Sequence, residues 1–268
     1  MDMSIRDEVK EQQDKMKDKD FKEKWDYFWE YYKFHVMTAV VALLFIISGV
    51  KSMLGEKPTY LNVILVNSAP SSFENTLGKD FMEATGVNPS ENVCFIDTTA
   101  VLNPDNIDEV AIATTQKITA NIAAKELDVL GADYNNFFQY AGQDVFADLS
   151  AYYSEKDLEA MGDSVLYMDA GYIEYIASDE YQDYLSNGTY DENNKYAVLC
   201  AEAAKSGNYT NLPKEEMKKP VPVGIIINNS KAYEKTGLYS GKTSVAGIIA
   251  NSTRTEAAVK FLDYIHQN

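Results

Sequence analysis

The stretch YLNVILVNSAPSSFENTLGKDFMEATG, residues 60–86, decides how this chain folds. Its first eight residues are apolar and β-branched over the length of one strand. After a polar break, Ser71 or Ser72 can cap a helix that carries Glu74 and Asp80 on its surface and stops at Gly86. A strand therefore feeds a helix. The order then returns: NVCFIDTT (residues 92–99) repeats the strand signal, Asp105 or Asn106 caps a long helix through residues 108–126, and LDVLGAD (residues 127–133) reads as a short buried strand. Strands spaced by helices predict an α/β fold with a mainly parallel, doubly wound sheet.

Moving toward the carboxyl terminus, the pattern loosens. Residues 134–220 hold twelve of the nineteen tyrosines, many carboxylates and only short apolar runs such as SVLYMD and YIEYIA. That composition predicts a smaller lobe or an insertion. Regular alternation resumes with a strand in KPVPVGIIINNS (residues 219–230), a short helix at residues 231–239 and a strand in TSVAGIIANS (residues 243–252). Ser252 or Thr253 then caps a last helix whose apolar face is Ala257, Phe261, Leu262 and Ile265.

Toward the amino terminus, residues 34–50 contain no Asp, Glu, Lys or Arg. Extended to residue 54 by a snorkelling Lys51, a helix of this run would span about 31 Å, against a bilayer core of about 30 Å. Phe21, Trp25, Phe28, Trp29 and Tyr32 share one helical face in front of it, as in an interfacial aromatic belt. Lys15, Lys17, Lys19, Lys22, Lys24 and Lys33 precede the run, whereas Lys51 and Lys57 are the only cations in the twenty residues after Val50. The bias predicts a cytoplasmic amphipathic helix over residues 1–33, a transmembrane helix over residues 34–54 and an extracytoplasmic domain over residues 58–268. Thirty-three residues ahead of the apolar run and the lack of an A-x-A site disfavour a cleaved signal peptide.

Charge excludes one class of partner. Residues 58–268 carry 14 Lys and Arg against 30 Asp and Glu. A nucleic acid would be repelled by that surface. Only two histidines occur, His35 at the membrane edge and His266 near the end, so a histidine-based triad or zinc site has almost nothing to draw on. No G-x-S-x-G, P-loop, G-x-G-x-x-G or calcium-loop pattern occurs. We therefore expect a non-enzyme with no catalytic residues, metal or cofactor. Cys94 and Cys200 lie in apolar runs, which leaves both a disulfide and two buried free thiols open.

The block AKELDVLGADYNNFFQYAGQDVFADLS (residues 124–150), with VPVGIIINNSKAYEKTGLYS and VAGIIANSTRTEAAVKFLDYI, resembles extracellular solute-binding proteins of the type II periplasmic-binding fold. The segment FKEKWDYFWEYYKFH before the apolar run looks like that of membrane-anchored proteins of clostridial Gram-positive bacteria. The resemblance implies a reduced two-lobed domain on the outer face of the cell membrane. It also implies capture of a small ligand, a sugar, amino acid or peptide, between the lobes. The chain departs from that family in its shorter domain and in lacking a lipidated cysteine. These departures leave open a scaffold that kept the fold without a pocket and docks a membrane-protein partner.

Ligands of open α/β sheets bind beyond the carboxyl ends of strands. Four such places follow: Asn67 and Ser68, Thr98 and Thr99, Asp133 with Tyr134 and Asn135, and Asp169 with Tyr172. Each doubles as a turn former or helix cap. The run Tyr167, Asp169, Tyr172, Glu174, Tyr175 has two readings, an aromatic ligand wall or a half-buried edge strand.

Overall fold

The computed structural model describes residues 38, 57–69, 74–103, 108–227, 239 and 242–267. The amphipathic segment 1–33 and all of the apolar run 34–54 except Thr38 lie outside the described residues, as do the helix at 231–238 and the caps expected at Ser71, Ser72, Asp105 and Asn106. No helix among the described residues is long and apolar enough to cross a membrane. Residues Lys57–Asn268 pack as one unit.

The doubly wound start forms as the alternation predicts. Strand β1 (Thr59–Leu65) leads to helix α1 (Glu74–Ala84), β2 (Val93–Asp97) to α2 (Glu109–Ala123), and β3 (Val129–Asp133) runs straight into α3 (Tyr134–Ala141). Asp108 caps α2 by accepting from the Ala111 amide at 2.9 Å. Then come α4 (Glu155–Met161), β4 (Val165–Asp169), α5 (Ala170–Ile176), α6 (Asp179–Asn187) and α7 (Lys195–Ser206). The chain finishes through β5 (Pro220–Ile226), β6 (Ser244–Ile248) and α8 (Thr255–Gln267).

The described strands form one six-stranded sheet in the order β2-β1-β3-β6-β5-β4. Strand β1 pairs in parallel with β2 and β3, but β3 with β6, β6 with β5, and β5 with β4 all pair antiparallel. The sheet is mixed, where a mainly parallel one was expected, and β4, from the segment expected to form a smaller lobe or an insertion, joins it at the edge. The cause is that a strand covered on both faces reads as a continuous apolar run whichever way it points.

Helices cover both faces. On one, Leu77 and Phe81 of α1 and Phe261, Leu262 and Ile265 of α8 bury Leu61, Val63 and Leu65, with Phe81 and Phe261 edge to face at 5.1 Å. On the other, Ile118 of α2, Phe137 and Phe138 of α3, Tyr172 and Tyr175 of α5 and Cys200 of α7 bury Ile64, Leu130 and Val245. Phe137 stacks on Phe146 at 4.2 Å and lies in a slot left by two glycines. A Cβ on Gly224 would come within 2.6 Å of its ring, and one on Gly247 within 3.0 Å.

Two open questions resolve here. Cys94 packs into the first face and Cys200 into the second, and both are free thiols, since the sheet stands between them. Burial pushes the Cys94 thiol up to about 12 and raises that of Cys200 as well. Neither behaves as a nucleophile at neutral pH. Tyr172 and Tyr175 belong to a helix, not to an edge strand, and at a spacing of three both face the core.

Candidate functional site

Strand β1 leaves the sheet toward the α1 face, whereas β3 continues into α3 on the opposite face. The crevice between their carboxyl ends is therefore a topological switch point, where an open α/β sheet leaves room for a ligand. A cavity of about 540 Å³ lies there, lined by Asn67, Asn103, Asp133, Tyr134, Asn135 and Lys242 among others.

Its floor is held by one amide. Asn67 has a left-handed backbone, with φ of 56°, a conformation that asparagine tolerates better than most residues. Its Nδ2 donates to the Leu102 carbonyl at 2.6 Å and to Asp133 Oδ2 at 2.7 Å, while its Oδ1 accepts from the Leu102 amide at 2.9 Å. Asp133 ends β3 and caps α3, accepting from the Asn136 amide at 3.2 Å and from Asn136 Nδ2 at 2.9 Å. Three chain segments are tied together without mobile side chains.

The other expected residues sit around or away from this floor. Ser68 is buried beneath it, its hydroxyl donating to the carbonyls of Leu65 and Thr98 at 3.1 and 3.3 Å. Thr98 is buried as well. Thr99 is turned onto Asp97, to which its amide and hydroxyl both donate. Burial alone would raise the Asp97 carboxyl, but the Lys117 ammonium and Thr99 outweigh it and hold it below the usual carboxylate range. Asn135 lines the cavity, yet its amide also reaches away from it. It donates to Asn208 Oδ1 at 3.2 Å and accepts from the Tyr209 amide at 3.2 Å. Tyr134 donates its amide to the Thr243 carbonyl at 3.0 Å, and burial raises its phenol.

Asp169 and Tyr172 do not join the cavity. Strand β4 runs opposite to β3, with Val165 beside Ile225 and Asp169 beside Pro220, so its carboxyl end lies at the far end of the sheet. Asp169 is 1% exposed and accepts from the amides of Gly171, Lys218 and Lys219 and from the Tyr196 hydroxyl, with Lys195 Nζ at 3.7 Å. Burial pushes its carboxyl up, but these donors prevail and the net shift is downward. It is a structural hub that staples α5 and α7 to the start of β5. Tyr172 packs edge to face on Phe138 at 5.4 Å, behind α3.

Sequence reasoning missed Asn103, Asn136, Lys242 and Thr243. The last two come to the cavity because β6 runs antiparallel to β3, which sets its amino end beside Asp133. No signal in a single sequence gives that direction. Asn136 was findable, three residues past the capping Asp133. The exposed Lys242 ammonium and the amino end of α3 make the rim suited to a ligand with an anionic or strongly polar end. Among the described residues no group of three or more His, Cys, Asp or Glu could hold a metal ion.

No protein-family model matches this chain. No curated protein matches it. Among solved structures, the chain is similar to an ABC substrate-binding protein from Listeria monocytogenes in complex with cycloalternan, at 14% identity and a TM-score of 0.33, over 78% of this chain and 75% of that one. It is similar also to a Trichodesmium protein in complex with iron and citrate, at 13% identity and a TM-score of 0.33, over 76% of this chain and 80% of the other.

Proposed function

We propose that residues 57–268 form a non-catalytic receptor that holds a small polar solute between the carboxyl ends of β1 and β3. Residues 34–54 tether it to the outer face of a cell membrane. The observation that carries the ligand reading is the 540 Å³ cavity at the switch point above a floor locked by Asn67, Asp133 and Asn136. A floor whose amides and carboxylate are already fixed costs little entropy when a ligand arrives. Lys242 gives the rim a charge that meets a carboxylate, so an amino acid or short peptide fits better than a neutral sugar. Both oxygens of Asp133 already accept hydrogen bonds, which suits it to positioning and not to proton transfer. The tether rests on the length of the apolar run and on the lysines that precede it.

The test is a melting screen of the full chain in detergent against amino acids, di- and tripeptides and sugars. A ligand present at about 100 times its Kd adds about 2.7 kcal/mol, a rise of several degrees. Lys242→Glu should weaken that ligand at least tenfold. A flat response across the panel would favour the second reading, a surface scaffold. That reading is supported by the Asn67 and Asp133 side-chain polar groups being engaged internally and by Phe95, 53% exposed on the edge strand β2.

A further inference from the structure

We infer that helices α3, α5, α6 and α7 enclose a second ligand site, separate from the strand-end cavity, that takes a neutral carbohydrate. The first turn of α3 faces the strand-end cavity, whereas its second half, with Phe138 and Gln139, lines another of about 750 Å³. That volume lies within the range of about 300–1,000 Å³ usual for small-molecule sites. Its walls include Tyr172, Tyr181, Tyr184 and Tyr209, and none of its lining side chains is charged, although residues 58–268 carry 30 carboxylates.

The rings hold one another in place. Tyr209 stacks on Phe138 at 5.3 Å, Tyr172 meets Phe138 edge to face at 5.4 Å, and Tyr181 lies 6.1 Å from Tyr184. Fixed aromatic walls offer apolar faces to the C–H side of a sugar ring without losing rotamer freedom on binding. Neutral polar groups accompany them. The side-chain amides of Gln139 and Gln182 make no hydrogen bond among the described residues, in contrast to those of Asn67 and Asn135 at the strand-end cavity, which both donate and accept. A carboxylate or phosphate entering here would lose hydration and find no cation in the wall, and an ammonium would find no carboxylate. A ring with apolar faces and a rim of hydroxyls satisfies both the tyrosines and the amides.

The experiment is isothermal titration of the full chain with maltotriose, cellotriose and triacetylchitotriose, beside adenosine and choline. The bound regions are then mapped by amide hydrogen exchange. We expect saturable binding of at least one trisaccharide, with slowed exchange at residues 181–188 and 203–209. Tyr184→Ala and Gln182→Ala should each weaken it at least tenfold, and the exposed Gln182→Ala should leave the unliganded melting temperature unchanged. No heat with any of the three sugars overturns the inference. So does tighter binding of adenosine or choline, or protection confined to residues 101–103 and 242–248.

Discussion

Asn67 does two jobs with one side chain, stabilising a left-handed turn and neutralising a hydrogen-bonding demand from Asp133. Replacing its donor by an acceptor isolates the second. In Asn67→Asp two carboxylates face each other across what is now a 2.7 Å hydrogen bond, and both cannot ionise there at neutral pH. We expect a loss of about 2–3 kcal/mol at pH 7, shrinking toward pH 5 because the proton that the folded pair must hold costs less to bind as pH falls, read from urea midpoints at the two pH values. The unaltered protein should behave in the opposite sense. Asp97 and Asp169 have folded pKa values below their unfolded ones, so their contribution is present above the unfolded value of about 3.9 and is lost as pH falls through the lower folded value. Its urea midpoint should stay level from pH 7 to about 5 and drop below about pH 4. Asp97→Asn should flatten part of that drop.

At the scale of elements, the slot around Phe137 shows how two antiparallel strands admit a helix. Gly224 on β5 and Gly247 on β6 leave the ring room to stack on Phe146, so α3 sits close against the sheet. In Gly224→Ala the new Cβ would press within 2.6 Å of Phe137 and 2.7 Å of Val245 Cγ1, and both of those side chains are fully buried. Overpacking of this kind costs about 1–3 kcal/mol, a fall of several degrees in Tm by calorimetry, with the strand-end cavity weakened because the first turn of α3 supplies Tyr134, Asn135 and Asn136 to it. The elements themselves were largely legible. All six described strands fall on the apolar runs of the sequence, and α8 on the periodicity of Ala257, Phe261, Leu262 and Ile265. Residues 172–177 were not, because Tyr172 and Glu174 alternate as in a strand while Tyr172 and Tyr175 repeat as in a helix, and six residues are too few for either period to win.

For the whole molecule, the proposed tether makes a prediction about sidedness. Protease added to intact cells should degrade residues 58–268 and spare a fragment containing residues 1–33. An intact domain under those conditions, or its release into the medium without its first fifty residues, would remove the surface receptor from consideration. The sequence by itself determined the alternation of strands and helices, which runs are buried, the acidity that repels nucleic acid, and, of the four strand ends it offered, the two, those of β1 and β3, that line the strand-end cavity. Only the tertiary structure decided the direction of β4, β5 and β6. That direction brought Lys242 to Asp133, carried Asp169 to the far end of the sheet and set the tyrosines of residues 172–209 around a cavity of their own. The physical reason is that hydrophobic burial has no direction, so an apolar run fixes that a strand lies inside but not which way it points.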